Sequence, residues 1–236
     1  MNKIVSFAVL LLGLAPIAAA EAPDPMAEGL KDVERFHVLL ERIQYEQSSL
    51  RSLEAQFTLV QESEMLESSE ELAGQLLFSA PEQIRWEYLQ PKPLSVVING
   101  DEMLTWYKDL GRAETMRVGR YSDRILRYFN ATNSLESLLE YFEARVRILG
   151  GEEGTHRIQL LPKYKRIAKR ITSIVLWIHP ETYLPARVRI EAADGGVSDY
   201  RFQEMKVNVE IPDGSFDLTL PEDVEIHAVD LSSAAK

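Results

Sequence analysis

Along most of this chain apolar and polar residues alternate one by one, the period of strands with one covered face. The clearest stretch is Ile84-Arg85-Trp86-Glu87-Tyr88, which puts Ile84, Trp86 and Tyr88 on one side and Arg85 and Glu87 on the other. The same period predicts strands over residues 57–60, 74–78, 94–98 and 103–107, with Asn99-Gly100-Asp101 as a tight hairpin turn. After an interruption, strands are predicted over 145–149, 156–161, 171–178, 186–191, 198–209 and 215–218. Pro180, Pro185, Asp194-Gly195-Gly196 and Asp213-Gly214 punctuate them. Connections this short force antiparallel pairing of neighbours.

Two segments change period. Between Gly29 and Leu50, Val33, Phe36, Leu40 and Ile43 recur at helical spacing among charges. After Gly119, Ile125, Leu126, Tyr128 and Phe129 cluster, and Asn133 stands three residues before Glu136. That spacing resembles a capping box opening a second amphipathic segment with Leu135, Leu138, Leu139 and Phe142. The fold class expected is therefore mainly β: one curved antiparallel sheet of about ten strands, covered by short amphipathic helices. Phe36, Leu40, Ile43, Leu126, Phe129, Leu135 and Leu138 would form the inner side of this helical lid. Ile174 to Ile178 is apolar on both faces, so that strand should also be covered from outside, by a lid element or an extra helix.

The N-terminus adds an address. Lys3 precedes an apolar run from Ile4 to Ala15, and Ala18-Ala19-Ala20 offers a cleavage site before Glu21. This is the layout of a secretory signal peptide over 1–20, with an apolar run too short to span a bilayer comfortably. Residues 21–28 read as a flexible arm, 29–229 as one domain and 230–236 as a tail. The location expected is the periplasm, in soluble form and as a monomer.

Charge and composition narrow the partners. Removing residues 1–20 takes away Lys3 alone and moves the formal charge from −11 to −12. Such a surface repels phosphate backbones and anionic head groups, so nucleic acid is not an expected partner and lipid, if involved, must be held inside. The absence of cysteine excludes disulfides, thiolate metal sites and a lipid anchor on the chain itself. His37, His156, His179 and His227 have no ligand spacing, and no nucleophile elbow, dinucleotide fingerprint or phosphate loop is present. No metal, cofactor or catalysis is expected. The paired carboxylates Glu70-Glu71 and Glu152-Glu153 are adjacent rather than opposed, as solvated charges are. One basic cluster stands out, Pro162-Lys163-Tyr164-Lys165-Arg166 with Lys169 and Arg170. It fits either a solvated hairpin loop or a docking point for a partner or an anionic head group.

Several short patterns occur in a telling order: Phe57-x-x-x-Gln61, Gly74-x-Leu76-x-Phe78, Pro81, Arg85-Trp86-x-Tyr88, Pro91, Asn99-Gly100 and Leu104-x-Trp106-Tyr107. Leu160-x-Pro162, Trp177-Ile178, Leu184-Pro185, Asp194-x-Gly196, Asn208, Ile211-Pro212, Phe216 and Pro221-x-x-Val224 follow. Their order and spacing resemble the LolA-type periplasmic carriers of outer-membrane lipoproteins over roughly residues 30–228. The resemblance implies an incomplete β-barrel lidded by helices. It implies acylated lipoprotein or lipid cargo, an inner-membrane releasing transporter as donor and an outer-membrane acceptor. The implied cavity lining is Leu76, Phe78, Ile84, Trp86, Tyr88, Val96, Ile98, Trp106, Leu176, Ile178, Val188, Ile190 and Phe202. Where the family has a lid-latching arginine before the proline, this chain has Ala80, and Arg85 alternates to the wrong face to replace it. A second reading with the same fold is a periplasmic lipid- or peptide-sensing regulatory protein.

Overall fold

Short connections between alternating segments leave the chain one economical course, in which each strand turns back beside its predecessor. The computed structural model, described for residues 22–63, 69–117, 134–151 and 154–229, follows that course. A helix, α1 (Asp32–Ser48), leads into β1 (Ser52–Glu62), β2 (Glu70–Ser79), β3 (Gln83–Gln90), β4 (Leu94–Asn99), β5 (Glu102–Tyr107) and β6 (Arg112–Arg117). Helix α2 (Ser134–Tyr141) precedes β7 (Phe142–Arg147) and β8 (His156–Pro162), and a single turn of helix, α3 (Lys165–Ala168), leads to β9 (Ile171–Ile178). Then come β10 (Pro185–Ala192), β11 (Val197–Val207) and β12 (Glu225–Val229).

All twelve strands belong to one sheet, in the order β12-β6-β5-β4-β3-β2-β1-β11-β10-β9-β8-β7. The two end strands do not meet, so this is an open curved sheet. It is antiparallel except at one edge, where β12 runs parallel to β6, which corrects the wholly antiparallel expectation. Strand β12 returns from a long C-terminal crossing, which frees it from the hairpin constraint. Two further strand expectations change. Residues 215–218 form a turn and an extended stretch rather than a strand, while β6 and β12 are strands that alternation did not reveal. Gly100 takes φ +58°, the left-handed value a primed hairpin turn needs, between the paired Asn99 and Glu102.

The inner face is the one on which the helices pack. Leu39 and Ile43 of α1 and Leu135 of α2 join Phe142, Ile158, Leu160, Ile174, Ile178 and Tyr183 in one buried cluster over β7–β9. On α1 the fully covered positions are Leu39, Ile43 and Gln47; Phe36 and Leu40 are half-buried, and Val33 is exposed, rotating the expected face by part of a turn. Leu138 packs against the same cluster. Leu126, Phe129 and Asn133 lie outside the described residues, as do the signal segment 1–20 and the tail 230–236. Residues 22–28 are tied down rather than free. The Arg35 guanidinium donates to the Pro25 carbonyl at 2.8 Å and Arg42 to that of Pro23 at 3.2 Å.

His156 is fully buried in this half, stacked on Tyr183 with ring centres 5.8 Å apart. Its Nδ1 accepts the Leu149 N–H at 3.3 Å, and burial pushes its pKa down, so it sits there as a neutral core residue. Among the described residues the outside of β9 is covered by arginines. Trp177 lies under Arg187 at 4.3 Å and Arg157 at 5.9 Å, and Asp199 pairs with Arg187 at 2.6 Å. Long guanidinium side chains lying flat on an indole bury it without a second layer of structure.

Candidate functional site

The other half of the inner face is floored by aromatic rings. Cross-strand register places Phe57 of β1 opposite Phe202 of β11 and opposite Gly74 of β2, while Gly74 faces Tyr88 of β3. Gly74 is required here: a Cβ at that position would sit 2.7 Å from the Phe57 ring and 2.1 Å from the Glu87 carbonyl oxygen. The bare backbone lets the Phe57 ring lie across β2 toward Trp86 and Tyr88. Phe57 meets Trp86 edge-on at 4.8 Å and Tyr88 at 5.1 Å. Trp86 in turn meets Tyr200 at 5.9 Å and Phe202 at 6.0 Å. Such tilted contacts match ring edges to ring faces and fix the floor's geometry.

Around the rings the wall is aliphatic and sulfur-rich. Leu53, Leu72, Val96, Met103, Met116 and Met205 pack against the buried core of Leu76, Phe78, Ile84 and Ile98 and are themselves only partly covered. Methionine and leucine side chains can re-pack around chains of different shape. No residue of α1 or α2 belongs to this cluster, whereas both helices belong to the one over β7–β9. The two helices thus pack on the β7–β9 half, while the aromatic half, whose Phe57 and Trp86 are themselves buried, draws no residue of its cluster from either helix. Among the rings the polar handle is the pair Tyr88 and Tyr200, whose hydroxyls hydrogen-bond one another and whose pKa values burial pushes up. The rings and aliphatic side chains suit hydrocarbon, and the charge that shares this face lies at its β5–β6 edge, where the register Val96–Thr105–Glu114 and Leu94–Tyr107–Arg112 brings in Glu114 paired with Arg112. Among the described residues no cluster of three or more His, Asp or Glu could hold a metal ion.

The structure sorts the thirteen expected lining residues into three groups. Leu76, Phe78, Ile84, Trp86, Tyr88, Val96, Ile98 and Phe202 come together in the aromatic half. Leu176, Ile178, Val188 and Ile190 share the inner face but lie in the cluster that α1 and α2 cover. Trp106 is the correction. It pairs with Ser95, which pairs with Glu87, so it shares the outer face with Glu87, and the Lys108 ammonium sits 5.2 Å from its ring centre. The motif Leu104-x-Trp106-Tyr107 carries alternating faces, and the register puts Thr105 and not Trp106 behind Trp86 through Val96. Sequence reading did not place Tyr200 and Phe57 in the lining; the alternation Ser198, Tyr200, Phe202 carried the signal for the first.

The outer face opposite the aromatic floor is a clamp. Glu87 is buried and accepts hydrogen bonds from Ser95 at 2.8 Å, from Arg85 at 2.9 Å and from Lys108. Burial pushes its pKa up, but the donors Lys108, Ser95 and Arg85 outweigh it and hold the carboxyl below its usual range. Arg85 also donates to the Ser215 carbonyl at 2.9 Å, drawing residues 209–224 across the sheet so that Phe216 is buried. Arg85 is therefore committed to the outer side and does not latch the lid.

Comparison with known proteins gives this architecture a family. The family model described as outer membrane lipoprotein carrier protein LolA matches residues 48–219. An outer-membrane lipoprotein carrier protein from Alkalilimnicola ehrlichii is 23% identical over 232 residues, covering 94% of each chain. An uncharacterized conserved protein from Thermus thermophilus superposes with a TM-score of 0.54 at 15% identity, over 82% of this chain and 99% of that one, a likeness of fold. A MucB structure superposes with a TM-score of 0.47 at 13% identity, over 80% of this chain and 64% of that one. With most of the sheet inside the matched span, the chain belongs to the LolA family of outer membrane lipoprotein carrier proteins.

Proposed function

We propose that this chain is a soluble periplasmic carrier that holds the acyl chains of lipoproteins, or of another envelope lipid, and ferries them from the inner to the outer membrane. Residues 29–229 act as one carrier domain released from the signal segment 1–20. The observation that carries the reading is the aromatic floor of Phe57, Trp86, Tyr88, Tyr200 and Phe202, ringed by partly covered methionines and leucines, in a cluster to which neither α1 nor α2 contributes a residue. A triacylated chain end exposes about three tails, and each buried CH₂ stabilises the bound state by about 0.8 kcal/mol. Leaving those tails in water costs on the order of 30 kcal/mol gross. A vessel that hides them is sufficient for transport, and the role needs no catalysis.

The open sheet suits such a vessel because β12 and β7 are unpaired with each other, so the two halves can spread without breaking a ladder. The donor is an inner-membrane lipoprotein-releasing transporter and the acceptor lies at the outer membrane. Exported protein purified from the periplasm is expected to yield acylated material on solvent extraction, seen by mass spectrometry in near-stoichiometric amount. Lipid-free protein that also lacks a saturable site for an acyl probe would overturn the reading. Recovery of a membrane regulator's periplasmic segment in place of acylated material would point to the sensing role instead.

A further inference from the structure

The β8–β9 connection carries five cations in eight residues, Lys163, Lys165, Arg166, Lys169 and Arg170, with no acid among them. All five are exposed, and none makes an ion pair among the described residues. In a chain of formal charge −11 this is a local reversal of sign. Between the cations sit an aromatic and an aliphatic side chain. Tyr164 is 49% exposed, while Ile167 packs against the helix-covered cluster and anchors the turn. Lysine-rich charge around an amphipathic ring is the composition that settles at the head-group level of an anionic bilayer. Exposed acids border the hairpin, with Glu140 beside the Tyr141 that bonds Lys163 and Asp194 beside the Ala193 that bonds Arg170. Five cations outnumber them locally, and with a screening length of about 8 Å in physiological salt the local balance decides the attraction.

The hairpin is also wired to a covering helix. The Lys163 N–H donates to the Tyr141 carbonyl at 2.9 Å, and the Lys163 ammonium donates to the Leu139 carbonyl at 2.7 Å. Both acceptors belong to the last turn of α2, whose carbonyls have no partner within the helix. A cation there also complements the negative end of the helix dipole. The Tyr164 ring meets the Tyr141 ring at 6.4 Å. A phosphate that draws Lys163 and Tyr164 outward therefore removes the far-end support of α2.

We propose that the Lys163–Arg170 hairpin docks on anionic lipid head groups, and that docking loosens α2 by recruiting Lys163 and Tyr164 away from it. The docking rests on the carrier reading only for its purpose, since the vesicle measurement stands without it. The test uses the full mature chain and vesicles of phosphatidylglycerol in phosphatidylcholine, followed by co-sedimentation and by hydrogen exchange at the α2 amides. Binding is expected at low salt and should fade as salt rises. The triple variant Lys165→Gln/Arg166→Gln/Lys169→Gln should lose roughly a hundredfold in vesicle affinity, at about 1 kcal/mol per cation.

Vesicles should speed α2 exchange in the parent protein. Lys163→Met should show fast α2 exchange from the outset and little further response, while losing only about fivefold in vesicle affinity, at about 1 kcal/mol for one cation. Equal sedimentation of parent and triple variant, no binding at low salt, or α2 exchange indifferent to bound vesicles would each overturn the proposal. So would an oligoglutamate peptide that binds the hairpin when the vesicles do not, which would make the partner an acidic polypeptide. An acyl probe is titrated in parallel: its failure with vesicle binding intact strikes the carrier reading alone.

Discussion

Trp86→Glu should abolish saturable binding of a fluorescent fatty-acyl probe, with affinity falling at least about a hundredfold. The indole is 7% exposed and touches Phe57, Tyr88, Tyr200 and Phe202, so every chain laid on the floor passes within reach of it. A carboxylate there must be desolvated against hydrocarbon, and the effective penalty is several kcal/mol per ion. The same penalty threatens the fold. Trp86→Leu is therefore the companion variant: it keeps the site apolar, leaves a gap beside Phe57, and should bind within about tenfold of the parent. Trp106→Leu alters an equally large ring on the other face and should leave probe affinity unchanged. If both tryptophans mattered equally to binding, the two-faced account of the sheet would be wrong.

Glu87→Ala should destabilise the protein by about 3 kcal/mol, near the low end for breaking a buried ion pair, because it strands Arg85, Lys108 and Ser95 together. It should also free residues 209–224, since Arg85 would lose the carboxylate that aims it at Ser215. Chemical denaturation measures the first effect and protease sensitivity of the C-terminal crossing the second. The pH dependence follows from the sign of the shift. A carboxyl whose folded pKa lies below its unfolded value stabilises fully above the ordinary carboxylate range, and this contribution is lost as pH falls through the lowered value. Glu191, lowered by its bond from Ser173 and by Arg189 against a smaller cost of burial, adds in the same direction. The parent should therefore weaken as the medium turns acid, and Glu87→Ala should show a shallower loss over the same range.

The sequence disclosed the fold where side chains obey one period. Strand β3 could be read from Ile84, Trp86 and Tyr88 because each apolar side chain meets the inner core and each charged one meets the clamp. Strand β6 escaped because Arg112-Ala113-Glu114-Thr115-Met116-Arg117 buries little beyond Ala113, and β12 because Glu225 to Ala228 are all exposed. Edge strands form through backbone pairing, which leaves no hydrophobic trace in the chain. Trp106 misled for a related reason. A lone large apolar residue indicates burial, but which face it is buried on depends on register, and register is a property of the partner strand. Segment 209–224, read partly as a strand, is positioned by the long-range contact between Arg85 and Ser215, which no local pattern encodes. The lid face of α1 was legible to within part of a turn. Leu39, Ile43 and the polar Gln47 are the buried positions, so the covered stripe runs one residue away from Phe36 and Leu40.

The central claim is that an acyl chain lies on the inner face beside Trp86 and nowhere else on the sheet. The chain has three tryptophans, with Trp86 on that face and Trp106 and Trp177 on the outer one. Three single-tryptophan proteins, each with the other two replaced by phenylalanine, are titrated with a brominated fatty acid, whose bromines quench indole fluorescence only at close range. The account predicts saturable quenching of Trp86 and none of Trp106 or Trp177. Quenching shared by all three, or absent at Trp86, would contradict it.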